Sequence, residues 1–215
     1  VGYEEFEKSN PALYGTIDSN AQNKAETLTS AMAEQIKTIA KNTYGYDAGV
    51  INGATFPETH EEYNVKIDAV INDANRAILN YSKTESYYPR KYNGGATVFS
   101  NNYYAKPPII ERSSIELYSN VTDRLSTKLK FSRYEMDEND ASIGDGLFPE
   151  VNIEVGGDNV YLGGDRYRGA NHIMVDEDFL IFKADYDNDE TVLTFGIEKA
   201  ETSVYNLFIA RYNGE

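Results

Sequence analysis

The second half of the chain alternates apolar and polar residues with a period of two, beginning at Ser114. Such alternation is typical of a half-buried strand, whose successive side chains point to opposite faces of a sheet. The strand candidates are Ile115–Leu117, Thr127–Phe131, Val151–Val155, Val160–Leu162, Ile173–Val175, Phe179–Ala184, Val192–Ile197 and Val204–Tyr212. Because turn-rich segments separate them, they predict an antiparallel β domain, a sandwich or barrel, over residues 114–215.

Residues 19–85 show apolar spacings of three and four, which indicate helix. For a first helix, Ser19 and Gln22 have capping-box spacing, and Gly45 is the expected left-handed stop. Thr59 and Glu62 repeat the capping spacing before a second helix. The two apolar faces are Ala25, Leu28, Met32, Ile36, Ile39 and Thr43, and then Tyr63, Ile67, Val70, Ala74, Ala77 and Tyr81. We therefore predict an α+β fold, an N-terminal helical hairpin followed by an antiparallel β-sandwich or barrel. The second face either closes this hairpin or meets another subunit.

Two further segments carry aromatic residues without periodicity. Residues 1–18 are predicted to form an irregular arm that docks on a neighbouring subunit or folds over its own domain. Residues 86–113 are predicted to form an aromatic linker, because prolines and glycines interrupt any helix there. The candidate interface residues in these segments are Tyr3, Phe6, Leu13, Tyr14, Tyr87, Tyr88, Tyr103 and Tyr104. The chain has 18 tyrosines and no tryptophan, which suits either contact surfaces or ordinary strand positions.

Charge and cysteine content exclude several classes of function. The net charge of −15 repels phosphate backbones, so we expect no direct nucleic-acid binding. The apolar runs are too short for a membrane span. Because cysteine is absent, the chain has no disulfide framework and no thiolate nucleophile or zinc ligand.

The stretch DYDNDE contains the candidate metal site, Asp185, Asp187 and Asp189. These carboxylates fall at positions 1, 3 and 5 of a calcium loop, but Glu190 stands where an EF-hand needs glycine. Asp, Asn and Asp are also turn formers. We interpret the stretch as a hairpin tip first and as a calcium site second, and no other cofactor is predicted.

The remaining motifs do not specify a reaction. Gly-Gly-Asp occurs at residues 156–158 and 163–165, with a period of seven instead of the nine of a calcium-binding β-roll, so two glycine-rich turns explain it better. The acidic stretch 136–150 is read as a surface loop, with calcium binding as the alternative. His60 and His172 are the two histidines, and no nucleophile-elbow motif accompanies them. Paired carboxylates leave an acidic glycoside hydrolase as a residual hypothesis.

The sequence therefore favours a non-enzymatic function. We expect a structural self-assembling subunit of a virion (a capsid, neck or tail component) or of an extracellular filament. It would act by packing against copies of itself or against other structural subunits. The alternative from a different class is a secreted glycan-binding β-sandwich module, with tyrosine platforms at Tyr103 and Tyr104 and with calcium as a candidate ligand.

Overall fold

The structure, a computed structural model, describes residues 1–91, 95–164 and 171–209. In these ranges it contains strands β1 to β14, one α-helix and a 3-10 turn at Ser100–Asn102. The helix α1 is Ser30–Tyr44. The strands are β1 Gly2–Pro11, β2 Tyr14–Gly15, β3 Asn23–Lys24, β4 Thr55–Asn72, β5 Asn75–Arg90, β6 Thr97–Val98, β7 Tyr104–Lys106, β8 Ile109–Thr122, β9 Leu125–Asn139, β10 Ala141–Ser142, β11 Val151–Val155, β12 Asp158–Leu162, β13 His172–Asp187 and β14 Val192–Leu207.

One large antiparallel sheet dominates the fold. Its main path runs β1-β4-β5-β8-β9-β13-β14, and β7 and β10 join it beside β5. The hairpins β4–β5, β8–β9 and β13–β14 all turn at the same end of this sheet, which we call the outer end. Their turns touch, since the backbone amide of Asn120 donates to the Ala74 carbonyl and that of Asp187 donates to the Arg124 carbonyl.

The opposite end of the sheet meets a small base that contains the buried core. There, α1 and the three-stranded sheet β11-β12-β6 enclose Leu28, Phe99 and Val160, which are fully buried or nearly so. A second cluster includes Phe56 at the start of β4, whose ring stacks on Tyr103 with centroids 4.0 Å apart. Most of the buried apolar side chains therefore lie in the base, and the outer half of the sheet extends away from it.

The predicted N-terminal helical hairpin is wrong. Residues 55–85 form the strand pair β4–β5, in which Thr59 and Glu62 lie mid-strand and cap nothing. The residues from Tyr63 to Ala69 alternate strictly, with Val65 and Ile67 on the same face, and this period of two outweighed the heptad-like spacing. The turn follows at Asn72, whose side chain accepts the Ala74 amide at 3.0 Å.

The first predicted helix is shorter than expected and begins later. Its N-cap is Thr29, whose hydroxyl accepts the Met32 amide at 3.3 Å, so Ser19 and Gln22 are not its cap. The predicted stop at Gly45 is confirmed, with φ of 70° and its amide bonded to the carbonyls of Ala40 and Lys41. The buried face of α1 is made of alanines, Ala33 and Ala40, which lets the helix lie close to the base.

The antiparallel β character of the second half is confirmed, and it extends to the first half. The candidates at 173–175 and 179–184 are parts of one strand, β13, and β14 similarly joins the last two candidates up to Leu207. The arm predicted to be irregular is largely strand β1, and the predicted aromatic linker contributes β6, β7 and the start of β8. Residues 92–94, the second half of the glycine-rich repeat from residue 165, and residues 210–215 lie outside the described ranges. Among the described helices, none has the length and apolar character to cross a bilayer.

Candidate interaction surface

The strand register brings apolar residues of six strands onto one face of the outer half of the sheet. Residues directly opposite each other in an antiparallel pair share a face. One cross-strand row consists of Ile67, Leu79, Ile115, Phe131 and Leu180, each paired with the next. The adjacent row consists of Ala69, Ala77, Leu117, Leu129, Phe182 and Ile197. A third row, nearer the turns, consists of Ser119, Thr127, Ala184 and Phe195.

We call this surface the apolar patch and define it by Ile67, Ala69, Ala77, Leu79, Ile115, Leu117, Leu129, Phe131, Leu180, Phe182, Ala184, Phe195 and Ile197. Its isoleucines, leucines and phenylalanines are between 36% and 68% exposed. Within the described part of the chain, no second layer covers them. A shallow cavity of about 400 Å³ lies over Val65, Leu79, Tyr81 and Phe131 at the edge of the patch.

The opposite face of the same strands carries the charges, and we call it the charged face. Lys128 and Lys130 place their ammonium nitrogens 2.9 Å and 3.5 Å from the Glu116 carboxylate. Arg76 pairs with Asp68, and Lys183 lies 3.0 Å from Asp185. Antiparallel sheets commonly have one face on a core and one in water, so the charged face is the solvated one. The apolar patch has the composition of a face that packs on a core, yet it is exposed.

The charged face also holds a polar groove of about 550 Å³. Its wall includes Arg112, whose guanidinium carbon lies 5.3 Å from the centre of the Tyr134 ring, and Phe179. Asn64 and Asn80 supply amide groups. The groove therefore combines aromatic rings with hydrogen-bonding groups.

Both edges of the large sheet are open in the described residues. At one edge, β1 carries Glu4, Glu5, Glu7 and Lys8, and charges of this kind discourage pairing with another strand. At the other edge, all of β14 is exposed. Its segment from Val192 to Ile197 contains no charge, whereas Glu198, Lys199 and Glu201 follow directly. The outer part of β14 is thus the less protected edge.

The candidate interface residues do not form one surface. Tyr3 is 54% exposed on β1, with its ring 4.8 Å from that of Tyr63, and Phe6 is exposed on the other face of the strand. Leu13 and Tyr14 line a groove of about 310 Å³, where the Lys91 ammonium lies 3.3 Å from the centre of the Tyr14 ring. Burial lowers the pKa of Lys91 to about 8.

The four candidate interface tyrosines of the predicted linker are partly or fully buried. The Tyr88 hydroxyl donates to Glu138 at 3.2 Å, and Tyr87 is half-buried on the opposite face of β5. Tyr103 is 8% exposed beneath Phe56, and this burial raises its pKa. Tyr104 is half-buried on β7. These residues join the sheet to the base, and Tyr103 is not a surface platform.

The three carboxylates of the DYDNDE stretch point to separate protein partners. Asp185 accepts the Thr194 hydroxyl at 2.5 Å on the charged face, and the Asp187 carboxylate accepts the Asp189 amide at 2.9 Å. Asp189 has φ of 74° and binds Arg124 at 2.8 Å. The stretch is the β13–β14 turn, as the hairpin interpretation has it. In the described ranges, no group of three or more His, Asp or Glu side chains is arranged to hold a metal ion.

A cluster of titratable groups lies where β7, β9 and β13 meet. Lys106 pairs with Glu138 and lies 3.8 Å from Asp140, which is 6% exposed and whose pKa is raised by burial. His172 lies 2.7 Å from Asp137. Glu138 also accepts the Tyr88 hydroxyl. These contacts tie the strands together, and the adjoining cavity of about 280 Å³ is small for a glycan chain.

A carboxylate that has no functional signal in the sequence anchors the base. Asp158, in the first Gly-Gly-Asp, accepts the backbone amides of Glu26, Thr27 and Leu28 at 2.6 to 2.9 Å. Burial opposes its ionisation, but the Thr27 hydroxyl and these amides outweigh that effect and lower its pKa to about 2. The Gly-Gly-Asp motif predicts a turn, and the turn is observed. It does not predict this contact with a segment 130 residues away.

Comparisons with protein-family models, with curated proteins and with solved structures find no match to this chain.

Proposed function

We propose that this chain is a structural self-assembling subunit of a virion (a capsid, neck or tail component) or of an extracellular filament, and that it acts through subunit packing. The observation that carries the proposal is the apolar patch, a sheet face that no layer of described residues covers, with ten large apolar side chains at least 36% exposed. Exposed patches of this extent typically mark interaction surfaces in native proteins.

The sheet edges and the charge support the same function. A long exposed strand with an uncharged segment, such as Val192–Ile197 of β14, offers a second contact to a neighbouring subunit. The net charge of −15 keeps the remaining surface hydrated, which favours specific contacts over general aggregation.

The test is the mass of the full chain in solution over a wide concentration range, by sedimentation velocity and light scattering. We expect species of two or more copies that increase with concentration, and electron micrographs at high concentration to contain regular particles or filaments. A chain that remains monomeric at all concentrations contradicts the proposal.

A second candidate function is glycan binding, and the groove on the charged face favours it. Aromatic rings and amides, here Tyr134, Phe179, Asn64 and Asn80, are the groups that bind sugar rings and hydroxyls. Because Tyr103 is buried, this groove replaces Tyr103 and Tyr104 as the expected platform. Binding on a glycan array that is lost in Tyr134→Ala but kept in Tyr63→Ala supports this candidate, and an array without binding contradicts it.

A further inference from the structure

The apolar patch has the dimensions of a protein–protein interface. It crosses six strands at about 4.8 Å each and extends over three residue rows about 7 Å apart, which gives a flat footprint of about 500 Å². Each partner in a stable complex buries about 800 Å² of accessible surface, and side chains standing on a flat sheet expose more area than its footprint. The patch is therefore large enough to account for most of one stable interface.

We propose that the patch packs face to face against the same patch of a second copy, so that two open sheets form one β-sandwich. This inference rests on the proposed assembly function and specifies its first contact. Sheets stack about 10 Å apart with their apolar side chains interdigitated. A second copy supplies an apolar surface of the same size and shape, which is the chemistry that this patch requires.

The distribution of charge selects one orientation of the two copies. Toward the base, the same face carries Glu111, Glu135, Asp176, Asp178 and Glu201, with Lys83 and Arg133 as its cations. If the strands of both copies ran in register in the same sense, these acidic rows would face each other and repel. A two-fold axis that lies between the two sheets and perpendicular to their strands brings only the outer halves together. Both acidic regions then stay in water.

Side-chain size agrees with that orientation. The axis reverses the order of the rows. When it lies between the second and third rows, the row containing Leu117, Leu129 and Phe182 lies against the row containing Ser119, Thr127 and Ala184 of the other copy. Large residues thus lie over small ones, as close packing of two layers requires. Lys199 lies at the exposed edge of the sheet, at the end of the row that contains Ile67 and Leu180, and its ammonium is 2.7 Å from Glu201.

Neighbouring residues on β9 provide a matched test. Thr127 and Ser126 are both half-buried and point to opposite faces, Thr127 beside the apolar patch and Ser126 on the charged face opposite Asp185. Since the natural chain has no cysteine, Thr127→Cys and Ser126→Cys each introduce a single thiol. A short bifunctional maleimide, whose reach matches the separation of about 10 Å between packed sheets, then reports which face meets a second copy.

We expect Thr127→Cys to give a covalent dimer at least about tenfold faster than Ser126→Cys, with circular dichroism unchanged in both variants. Self-association in which Ser126→Cys cross-links as fast, or in which neither variant cross-links, overturns the face-to-face contact and leaves the assembly function standing. A chain that stays monomeric contradicts both. If the monomeric chain floats with phosphatidylcholine vesicles, the patch binds a lipid surface instead of a second copy. That result also overturns the inference.

Discussion

Lys128 and Glu116 form an ion pair across the β8–β9 strand pair, with the ammonium nitrogen 2.9 Å from a carboxylate oxygen. The pair lies on the charged face, directly behind the leucines Leu117 and Leu129 of the apolar patch. The same two strands thus separate charge from apolar surface completely at this position. Glu116 is the central anion of that network, since Lys130 and Tyr118 also contact it.

Replacing Glu116 with glutamine is expected to lower the free energy of unfolding by about 2 kcal/mol at pH 7. Hydrogen bonds from Tyr118 and Lys128 lower the pKa of Glu116 to about 2 from its ordinary 4.5. Because the folded-state pKa is depressed, this stabilisation is complete above about pH 4.5 and is lost as the pH falls toward 2. Urea unfolding of both proteins between pH 7 and pH 2 measures the difference. Glu198→Gln, at an exposed position of the same face, serves as control, and a difference that persists unchanged at pH 2 contradicts the assignment.

Replacing Asp158 with asparagine is expected to cost about 2 kcal/mol, because an amide group cannot accept all the hydrogen bonds that the carboxylate accepts from residues 26–28. Thermal and urea unfolding measure this loss. Glu154→Gln, on the neighbouring strand and exposed, should change stability by less than about 0.5 kcal/mol. Equal effects of the two substitutions would show that Asp158 does not anchor the segment before α1.

Gly163 and Gly53 both have positive φ, of 89° and 71°, but their surroundings differ. A Cβ at Gly163 would lie 2.0 Å from the Pro149 carbonyl oxygen, whereas a Cβ at Gly53 would meet nothing within 4 Å. We expect Gly163→Ala to cost about 3 kcal/mol and Gly53→Ala about 1 kcal/mol, since the first adds a clash to the conformational strain. Chemical denaturation gives both values, and a smaller loss at Gly163 than at Gly53 would contradict the packing described for the base.

Calcium binding at the β13–β14 turn is a hypothesis that a thermal melt tests directly. Asp185, Asp187 and Asp189 each have a protein partner, so a cation would have to displace Thr194 and Arg124. We therefore expect millimolar calcium and EDTA to give the same melting temperature. A rise with calcium that disappears in Asp187→Asn would show that the turn rearranges into a cation site.

The alternation within residues 114–164 and 171–209 predicts strands correctly because most of these strands have one apolar and one polar face. Residues Tyr63–Ala69 and Ala77–Tyr81 are strands for the same reason. However, these two short runs, joined by the turn at residues 72–75, also satisfy the spacings of three and four that indicate a helix. Helix and strand periods coincide at Tyr63, Ile67, Ala77 and Tyr81, so spacing alone does not separate them. The asparagines of that turn were the overlooked signal.

The apolar patch could be predicted only in part. Alternation assigns Leu117, Leu129 and Phe182 each to the apolar face of its own strand, but the alignment of these strands depends on register, a long-range property. The buried tyrosines show the same limit, because composition does not distinguish Tyr103, under Phe56, from the exposed Tyr63. The exposure of the patch follows from the arrangement of the described layers and has no local sequence signal.

The most direct test of the face-to-face sandwich is sedimentation velocity of the wild type, Thr127→Lys and Ser126→Lys under identical conditions. A lysine at position 127 places an unpaired charge in the contact, whereas one at position 126 lies beside Asp185 in water. If the two sheets pack face to face, we expect Thr127→Lys to raise the dimer dissociation constant at least about tenfold, the equivalent of 1.4 kcal/mol, and Ser126→Lys to leave it unchanged. Equal dissociation constants for the two variants, with both folded, would contradict it.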